Sequence, residues 1–580
     1  MKPDGYHVRV SAGPLPIAAV ERLSATATRQ GLAHQASAAA ALVTGPRCRV
    51  TLLPAATGFL LGTLFDRSGR RCDQIGEEAV AGWIATNGRT LIERYWGAYL
   101  AILRTPAGIV AIRDPSGLFP CYYRRLGDAV ALGSDLDWVE FADDRAREIC
   151  WSEIHAQLQY SSLRTVRTAI EGVEELLPGA ALHVGGSGLT TEQLWTPYGF
   201  ASTWGRPQSF DEAADRLRRT TEHSIASWAK LFEKPLIDIS GGLDSSIVAA
   251  ASAPQAPALQ AVTYRGGEAD LDEGRYAAAV ADHLGIPLHR EVLDLSLIDL
   301  RFSAAAALPR PSGRAFSQAN DRQDIALAEA LGCDTFFVGA GGDSIFWYFN
   351  TAAPALDRLA VEGPGGFLRT VGDLAVMCRV PWTRSLAIAL KKRAQRRPRP
   401  WPSSTALLAG AAKPLAASPV HPWWPAPPGT LPGVRAYVLA LIQLADHHEY
   451  HLRSHYAPLI APLASQPIIE TCLGIPSWLS CTKGANRAVA RAAFADALPE
   501  TILARTSKGG FDGFVHDLLE RNRTVAQEML LDGTLAERGW LDTQAIAALL
   551  ADPAPIAPAL SSRMLRLIAV EAWLQSVRSP

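Results

Sequence analysis

The sequence predicts an α/β protein in two parts: an antiparallel sandwich followed by a parallel sheet flanked by helices. Over about the first 150 residues, short apolar runs alternate with turn signals, as in "CRVTLLPAATGFLLGTLFD", "GAYLAILRTPAGIVAIRD" and "FPCYYRRLGDAVALGSD". From residue 211 the pattern changes to strand and helix in alternation, the signature of a parallel sheet. At 580 residues the chain is too long for a single core, and we divide it into 1–205 and 206–580.

The second part can be followed element by element. "DEAADRLRRTTEHSIASWAKLF" at 211–232 carries a helical period and leads into the apolar strand of "LIDISGGLDSSIVAA" at 236–250. "LQAVTYRGG" reads as a second strand, "GRYAAAVADHLGI" as a helix and "CDTFFVGAGGD" as a later buried strand ending in glycines. The stretch at about 391–430 is dense in proline and basic residues, so it reads as a flexible loop. With Trp401, Trp423 and Trp424 it is either a lid over a substrate or a disordered segment. "RAYVLALIQLADHHEYHLRSHY" and the alanine-rich stretches up to 575 read as mostly helical.

Composition excludes several classes of function. A net charge of -1 gives no general reason to bind nucleic acid or an anionic membrane. No apolar run is long enough to span a bilayer, and "MKPDGYHVRV" lacks the basic and apolar regions of a signal peptide. The eight cysteines include no CxxC pair, which favours a reducing, cytoplasmic setting. "HHEYH" places His447 and His451 four apart, but the spacing is not HExxH and no further ligand cluster follows, so a zinc site is not expected.

The chemistry is concentrated in "SGGLDSS". A strand ending at Ile239 and a helix starting near Ser245 would aim the free N–H groups of the first helical turn at the intervening loop, making an anion site. Gly241 and Gly242 let the backbone approach a ligand, and Ser240, Ser245 and Ser246 add hydroxyl donors. A bare phosphate would repel Asp244, so its presence implies an intervening divalent cation, naturally magnesium with a nucleotide. The turn has neither the Gly-Lys-Ser/Thr of a Walker loop nor dinucleotide-type glycine spacing.

This turn matches the SGGxDS loop of the ATP pyrophosphatases, which split ATP between the α and β phosphates. Further segments resemble the glutamine-hydrolysing asparagine synthetases over nearly the whole chain: "RDPSGLFPCYYRR", "IEGVEELLPGAAL", "DEGRYAAAVADHLG", "GAGGDSIF" and "NRAVARAAFADALPETILARTSKGGF". The resemblance implies an N-terminal glutaminase-like domain of the Ntn type and a C-terminal ATP-pyrophosphatase domain. It also implies that Ser240, Gly241, Gly242, Asp244 and Ser245 hold the departing phosphates. Asp244 and Asp343 would bind Mg2+, and Lys508 would steady negative charge near the α-phosphate. Arg505 either helps Lys508 or pairs with a surface carboxylate. Ile239 and Thr263 either border the adenine or simply pack in the core.

The departures from the family are informative. Its glutaminases use an N-terminal cysteine, where this chain has Lys2, and their Asn-Gly-Glu segment corresponds to "GTLFD" at 62–66, without the asparagine. Cys48 lies mid-chain and cannot supply a terminal amine. The first domain therefore reads as a structural remnant, and some amine other than ammonia must attack the adenylate. β-Lactam synthetases and lasso-peptide macrolactam synthetases both work this way. "PRPSGRAFSQAND" and "YAPLIAPLASQPIIETCLGIPSWL" resemble the lasso group more closely, although the first also reads as a plain proline turn. On this resemblance the substrate is a precursor peptide contacted by Arg314, Ser317 and Asn320, and the partners are a leader peptidase and a leader-recognition protein.

Ala340 and Ser344 stand where many asparagine synthetases carry acids, so the general base is unnamed. Glu470, His447, His448, Glu449 and His451 are candidates by residue type only. The alternatives are an amide ligase acting on a small acid and a nucleotide-binding scaffold without chemistry.

Overall fold

Alternating apolar residues build the first half as two antiparallel sheets packed face to face. In a computed structural model, the described residues are 1–580 except 38, 144, 161, 187, 202–207, 266–272, 313–314, 349–350, 396–400, 411, 413–419, 445–448, 450, 507–510, 553 and 579–580. One sheet runs in the order Val173–Glu175, Tyr122–Leu126, Ala129–Gly133, Tyr6–Ser11, Ala40–Thr44, Ala33–Ala36. The other runs Gly188–Gln193, Ala180–Gly185, Gly108–Arg113, Tyr95–Thr105, Gly58–Asp66, Val50–Leu52. Their facing side chains, among them Val8, Val10, Leu61, Leu100, Ile102 and Leu182, form one apolar layer.

Helices cover the two outer faces. Leu23 and Ala27 of the helix Ile17–Arg29 pack on Ala41, Val43 and Ala129 of the first sheet. Val80 and Trp83 of Glu77–Ala85, with Leu91 and Ile92 of Arg89–Arg94, join the core on the outer side of the second. These helices, absent from the expectation above, are 13 residues or fewer, and strong strand patterns surround them.

The second half carries the expected parallel sheet, ordered Leu288–Val292, Gln260–Arg265, Pro235–Asp238, Thr335–Phe337, Leu459–Ile460. Its central strands are apolar on both faces because helices cover both. The helix Phe210–Ala229 opens on a capping box: Ser209 accepts from the Glu212 N–H while Glu212 accepts from the Ser209 N–H. The division proposed between 205 and 206 lies outside the described residues.

Several boundaries differ from the sequence reading. The central strand ends at Asp238 rather than Ile239, although the Ile239 N–H still donates to Val262 O at 2.8 Å. The following helix begins at Leu243 rather than Ser245, because Gly242 is already extended and serves as its N-cap. The helix described after the proline-rich stretch is Pro432–Leu444, and residues 452–455, inside the segment expected to be mostly helical, form a separate 3-10 turn held by buried ion pairs.

The proline-rich stretch departs most from expectation. Its first residues complete the helix Trp382–Ala394. Trp401 and Trp423 are only 3% and 5% exposed; Trp423 meets Trp195 edge to face at 5.4 Å, and Tyr198 Oη donates to the Trp423 carbonyl at 2.8 Å. Proline denies this segment a ladder, but burying large indole rings anchors its described parts to the sandwich half. The described parts of this stretch therefore include packed anchors.

Two further features bind the halves. Glu175, buried on the strand Val173–Glu175, accepts from Arg113 at 2.9 Å, Arg164 at 2.7 Å and Arg310 at 2.6 Å, and Arg164 also reaches Glu449 at 2.8 Å. Burial alone would raise the Glu175 carboxyl, but Arg164, Arg310 and Arg113 hold it down at about 2. In addition, residues of the helix Pro558–Arg578 pack in one cluster with Ile154, Leu158 and Leu308, and Trp573 Nε1 donates to Leu308 O at 3.0 Å.

Candidate active site

At the carboxyl edge of the parallel sheet, where ligands of such sheets bind, two loops meet. The first is Ser240–Gly242. Gly241 has φ +65, and a Cβ there would lie 2.3 Å from Tyr276 Cβ, so the position demands glycine twice over. The second follows the strand Thr335–Phe337. A Cβ on Gly339 would come within 2.6 Å of the Ser245 nitrogen, and one on Gly342 within 2.3 Å of Asp244 Cγ. The glycines of "GAGGD" therefore let the second loop lie directly against the first.

This approach brings Asp244 and Asp343 to a common point. Each places an Oδ1 next to the same atom, Arg487 Nη1, at 2.8 Å from Asp244 and 2.7 Å from Asp343. Both carboxylates are partly exposed, at 17% and 29% of their side-chain area. The helix Leu243–Ser252 begins here, so its first-turn N–H groups face the loop. Ser240 is exposed, its Oγ lies 3.5 Å from Ser245 Oγ, and Ser246 Oγ donates instead to Gly242 O at 2.7 Å. Ser246 therefore closes the helix start rather than the ligand face.

Arginines frame the loop. Arg505 donates through Nη1 to the carbonyls of Gly241 at 2.9 Å and Ser240 at 3.3 Å, and through Nη2 to Glu273 at 2.9 Å, while its guanidinium sits 4.3 Å above the Tyr276 ring. It supports the loop backbone from behind. Arg491 ties the 486 region to the 503–505 region, donating to Asn486 O at 2.8 Å, Leu503 O at 2.6 Å and Arg505 O at 2.9 Å. Burial and the neighbouring Arg487 lower Arg491 to about 10. Sequence reading had noted the segments containing Arg487, Arg491 and Glu273 without singling out those residues. Arg487 and Glu273 act through contacts across more than 140 positions of chain, whereas Arg491 works within its own C-terminal segment.

The remaining candidates are dispersed. Ile239 and Thr263 are 1% and 3% exposed, so they sit in the core at the strand ends. Ser317 is buried at the start of the helix Gln318–Leu331, and Asn320 is half-buried on it. Lys508, Arg314, His447 and His448 lie outside the described residues. His451 is buried against Asp321 at 3.2 Å, Glu449 is engaged by Arg164, and Glu470 accepts from Gln466 at 2.7 Å and Trp195 at 3.1 Å. None of these contacts involves Asp244 or Asp343. Beside the loop, sequence reading also missed Asp238, whose Oδ2 is 2.7 Å from the buried Arg453; Arg453 also pairs with Asp321 and Asp324.

The fit of a divalent cation can be judged from the donors. Two hard carboxylate oxygens already converge on a positive nitrogen, and Mg2+ commonly uses one or two carboxylates, completing its shell with water and phosphate. No cluster of three or more His, Cys, Asp or Glu suited to a metal occurs among the described residues. The pair therefore fits a cation that the two carboxylates hold in part and a phosphate completes.

In the first half, the strand Gly58–Asp66 contains the segment expected to correspond to a glutamine site. Phe65 there stacks on Trp96 at 4.5 Å and meets Trp228 edge to face at 5.0 Å. Burial pushes the Cys48 thiol up to about 12, which leaves it un-ionised at neutral pH.

Comparison with known proteins adds the following. Carboxyethyl-arginine beta-lactam-synthase of Streptomyces clavuligerus is 29% identical over 205 residues, covering 34% of this chain and 35% of that protein. The match thus spans about a third of the length of this curated relative. Two solved structures overlap at 12% identity. The allosteric regulatory enzyme of purine biosynthesis has a TM-score of 0.20, with 50% of this chain and 75% of that chain covered. Glutamine phosphoribosylpyrophosphate amidotransferase from B. subtilis, complexed with ADP and GMP, has a TM-score of 0.18, with 59% and 77% covered. The family model described as asparagine synthase matches residues 216–575, which contain both loops, Arg487 and the whole parallel sheet, and the chain belongs to that family.

Proposed function

We propose that this protein is an ATP-dependent, AMP-forming amide ligase that closes a peptide macrolactam. It would adenylate an Asp or Glu side chain of a precursor peptide and join it to the peptide's N-terminal amine, as a lasso-peptide cyclase does. The observation that carries the ligase reading is the meeting of Asp244 and Asp343 beside the Gly241 loop and a helix N-terminus at the carboxyl edge of the parallel sheet. In the proposed mechanism the first-turn N–H groups and Ser240 bind the β and γ phosphates, and Asp244 and Asp343 hold Mg2+, which when bound neutralises the leaving pyrophosphate. Arg505 keeps the loop carbonyls turned away from the anion. Lys508, by family resemblance, steadies charge on the α-phosphate side.

The preference for a peptide amine over ammonia is supported by "GTLFD", which lacks the asparagine of the family's glutamine-binding segment and carries Phe65 packed on Trp96 and Trp228. By the resemblance of "PRPSGRAFSQAND" to the lasso group, Arg314, Ser317 and Asn320 would contact the peptide, and a leader peptidase and leader-recognition protein would supply it. A second reading, a small-acid ligase resembling a β-lactam synthetase, is favoured by the 29% identity to the Streptomyces clavuligerus enzyme.

The test is incubation of the protein with Mg-ATP and candidate precursor peptides. We expect AMP and pyrophosphate together with a peptide lighter by one water, and no gain from added glutamine. Asp244→Ala and Asp343→Ala should each abolish ATP turnover while the protein stays folded by circular dichroism. Formation of ADP in place of AMP, or full activity in both variants, would refute the reading. Cyclisation of a small amino acid with peptides left untouched would select the second reading.

A further inference from the structure

The residue between the two carboxylates is unusual in its backbone as well as its position. Arg487 is the N-cap of the helix Ala488–Ala493 and has φ 51 and ψ 37, a left-handed conformation that side-chain-bearing residues rarely adopt. Its side chain is 11% exposed, its Cζ lies 5.0 Å over the Tyr348 ring, and its Nε is buried with no hydrogen-bond partner among the described residues. A cap needs no arginine, since its side chain makes no capping hydrogen bond. The strained backbone instead delivers a guanidinium to the point where Asp244 and Asp343 converge.

Charge counting shows what that guanidinium does. Among these three groups, two carboxylates and one guanidinium, the charges sum to one negative. Adding a divalent cation brings the sum to one positive charge, which attracts a triphosphate. A divalent cation bound between the two carboxylates would sit where Arg487 Nη1 now meets them, so cation and guanidinium compete for the same space. A displaced guanidinium on the same short helix stays within side-chain reach of the loop and has donors matched to phosphate oxygens.

We propose that Arg487 is a stand-in cation that holds Asp244 and Asp343 together in the nucleotide-free protein, is displaced when the divalent cation arrives with the triphosphate, and then donates to the phosphates. This rests on the reading of Asp244 and Asp343 as the cation ligands, and the test separates the two ideas. The probe is Mn2+ alone, titrated into the full chain and followed by the electron paramagnetic resonance of free Mn2+. A second titration measures binding of Mg2+ with α,β-methylene-ATP by calorimetry. Arg487→Ala should bind Mn2+ more tightly than wild type, by about tenfold, and the nucleotide analogue more weakly by about tenfold, the scale of one charged hydrogen bond. Arg487→Lys, which keeps the charge without the fork and guards against misfolding of the alanine variant, should fall between in both titrations.

Unchanged or weaker Mn2+ binding in Arg487→Ala, with Asp244→Ala abolishing it in the wild-type background, would overturn the stand-in role and leave the cation ligands standing. Mn2+ binding indifferent to Asp244→Ala, or none at all in any variant, would overturn both.

Discussion

Gly342 shows how narrow the tolerance of the site is. A Cβ there would fall 2.3 Å from Asp244 Cγ and 2.5 Å from its Cβ, so the carboxylate would have to move. Because Gly342 lies at the start of a four-residue helix, alanine suits its own backbone and the damage should be confined to the site. Gly342→Ala should lower ATP-dependent turnover by about a hundredfold, the scale of misplacing a binding group by an ångström. Its thermal midpoint should stay close to wild type. A fully active Gly342→Ala enzyme would show that Asp244 need not keep its position. The glycines and the loop aspartates were legible in the sequence because a motif carries them over a few adjacent residues. Arg487 was not, since its partners Asp244 and Asp343 are local to nothing in its own segment.

At the scale of elements, the strand Tyr6–Ser11 is locked to the helix Leu136–Val139 by a neutral histidine. His7 is fully buried, its ring Nδ1 lies 2.7 Å from Trp138 O, and burial together with Arg9 lowers its pKa to about 3. With the folded value below that of the unfolded chain, near 6.5, the unfolded state binds the extra proton between these limits. Stability from this group is therefore present above about pH 6.5 and lost as pH falls towards 3. His7→Phe should flatten the difference: relative to the variant, wild type should lose about 1.4 kcal/mol per pH unit within that window. Denaturant titrations at several pH values would check it, and parallel curves for the two proteins would refute the assignment. Strands such as Gly58–Asp66 were plain from sequence, since alternation over nine residues is a strong local signal, whereas Tyr6–Ser11 was not picked out. The short covering helices and the anchored Trp401 and Trp423 were hidden, because their order comes from what they bury against.

For the whole molecule, the cluster around Glu175 joins sandwich to sheet domain. Arg113 and Glu175 come from the first half, Arg310 and Glu449 from the second, and all are buried or nearly so. Glu175→Gln would leave three arginines facing one remaining glutamate. It should destabilise the protein by about 3–5 kcal/mol, read as a fall in the denaturation midpoint. A change below about 1 kcal/mol would show that the junction does not depend on this charge cluster. Such a junction cannot be anticipated from either half's pattern, because each charge considered singly looks like an ordinary surface residue.

The return of the helix Pro558–Arg578 onto Ile154, Leu158 and Leu308 has a consequence for synthesis. At ribosomal rates, roughly tens of seconds separate the appearance of those early residues from that of their late partner. Through that interval the nascent chain carries an uncovered greasy flank, a natural docking point for a holdase until translation delivers the missing piece.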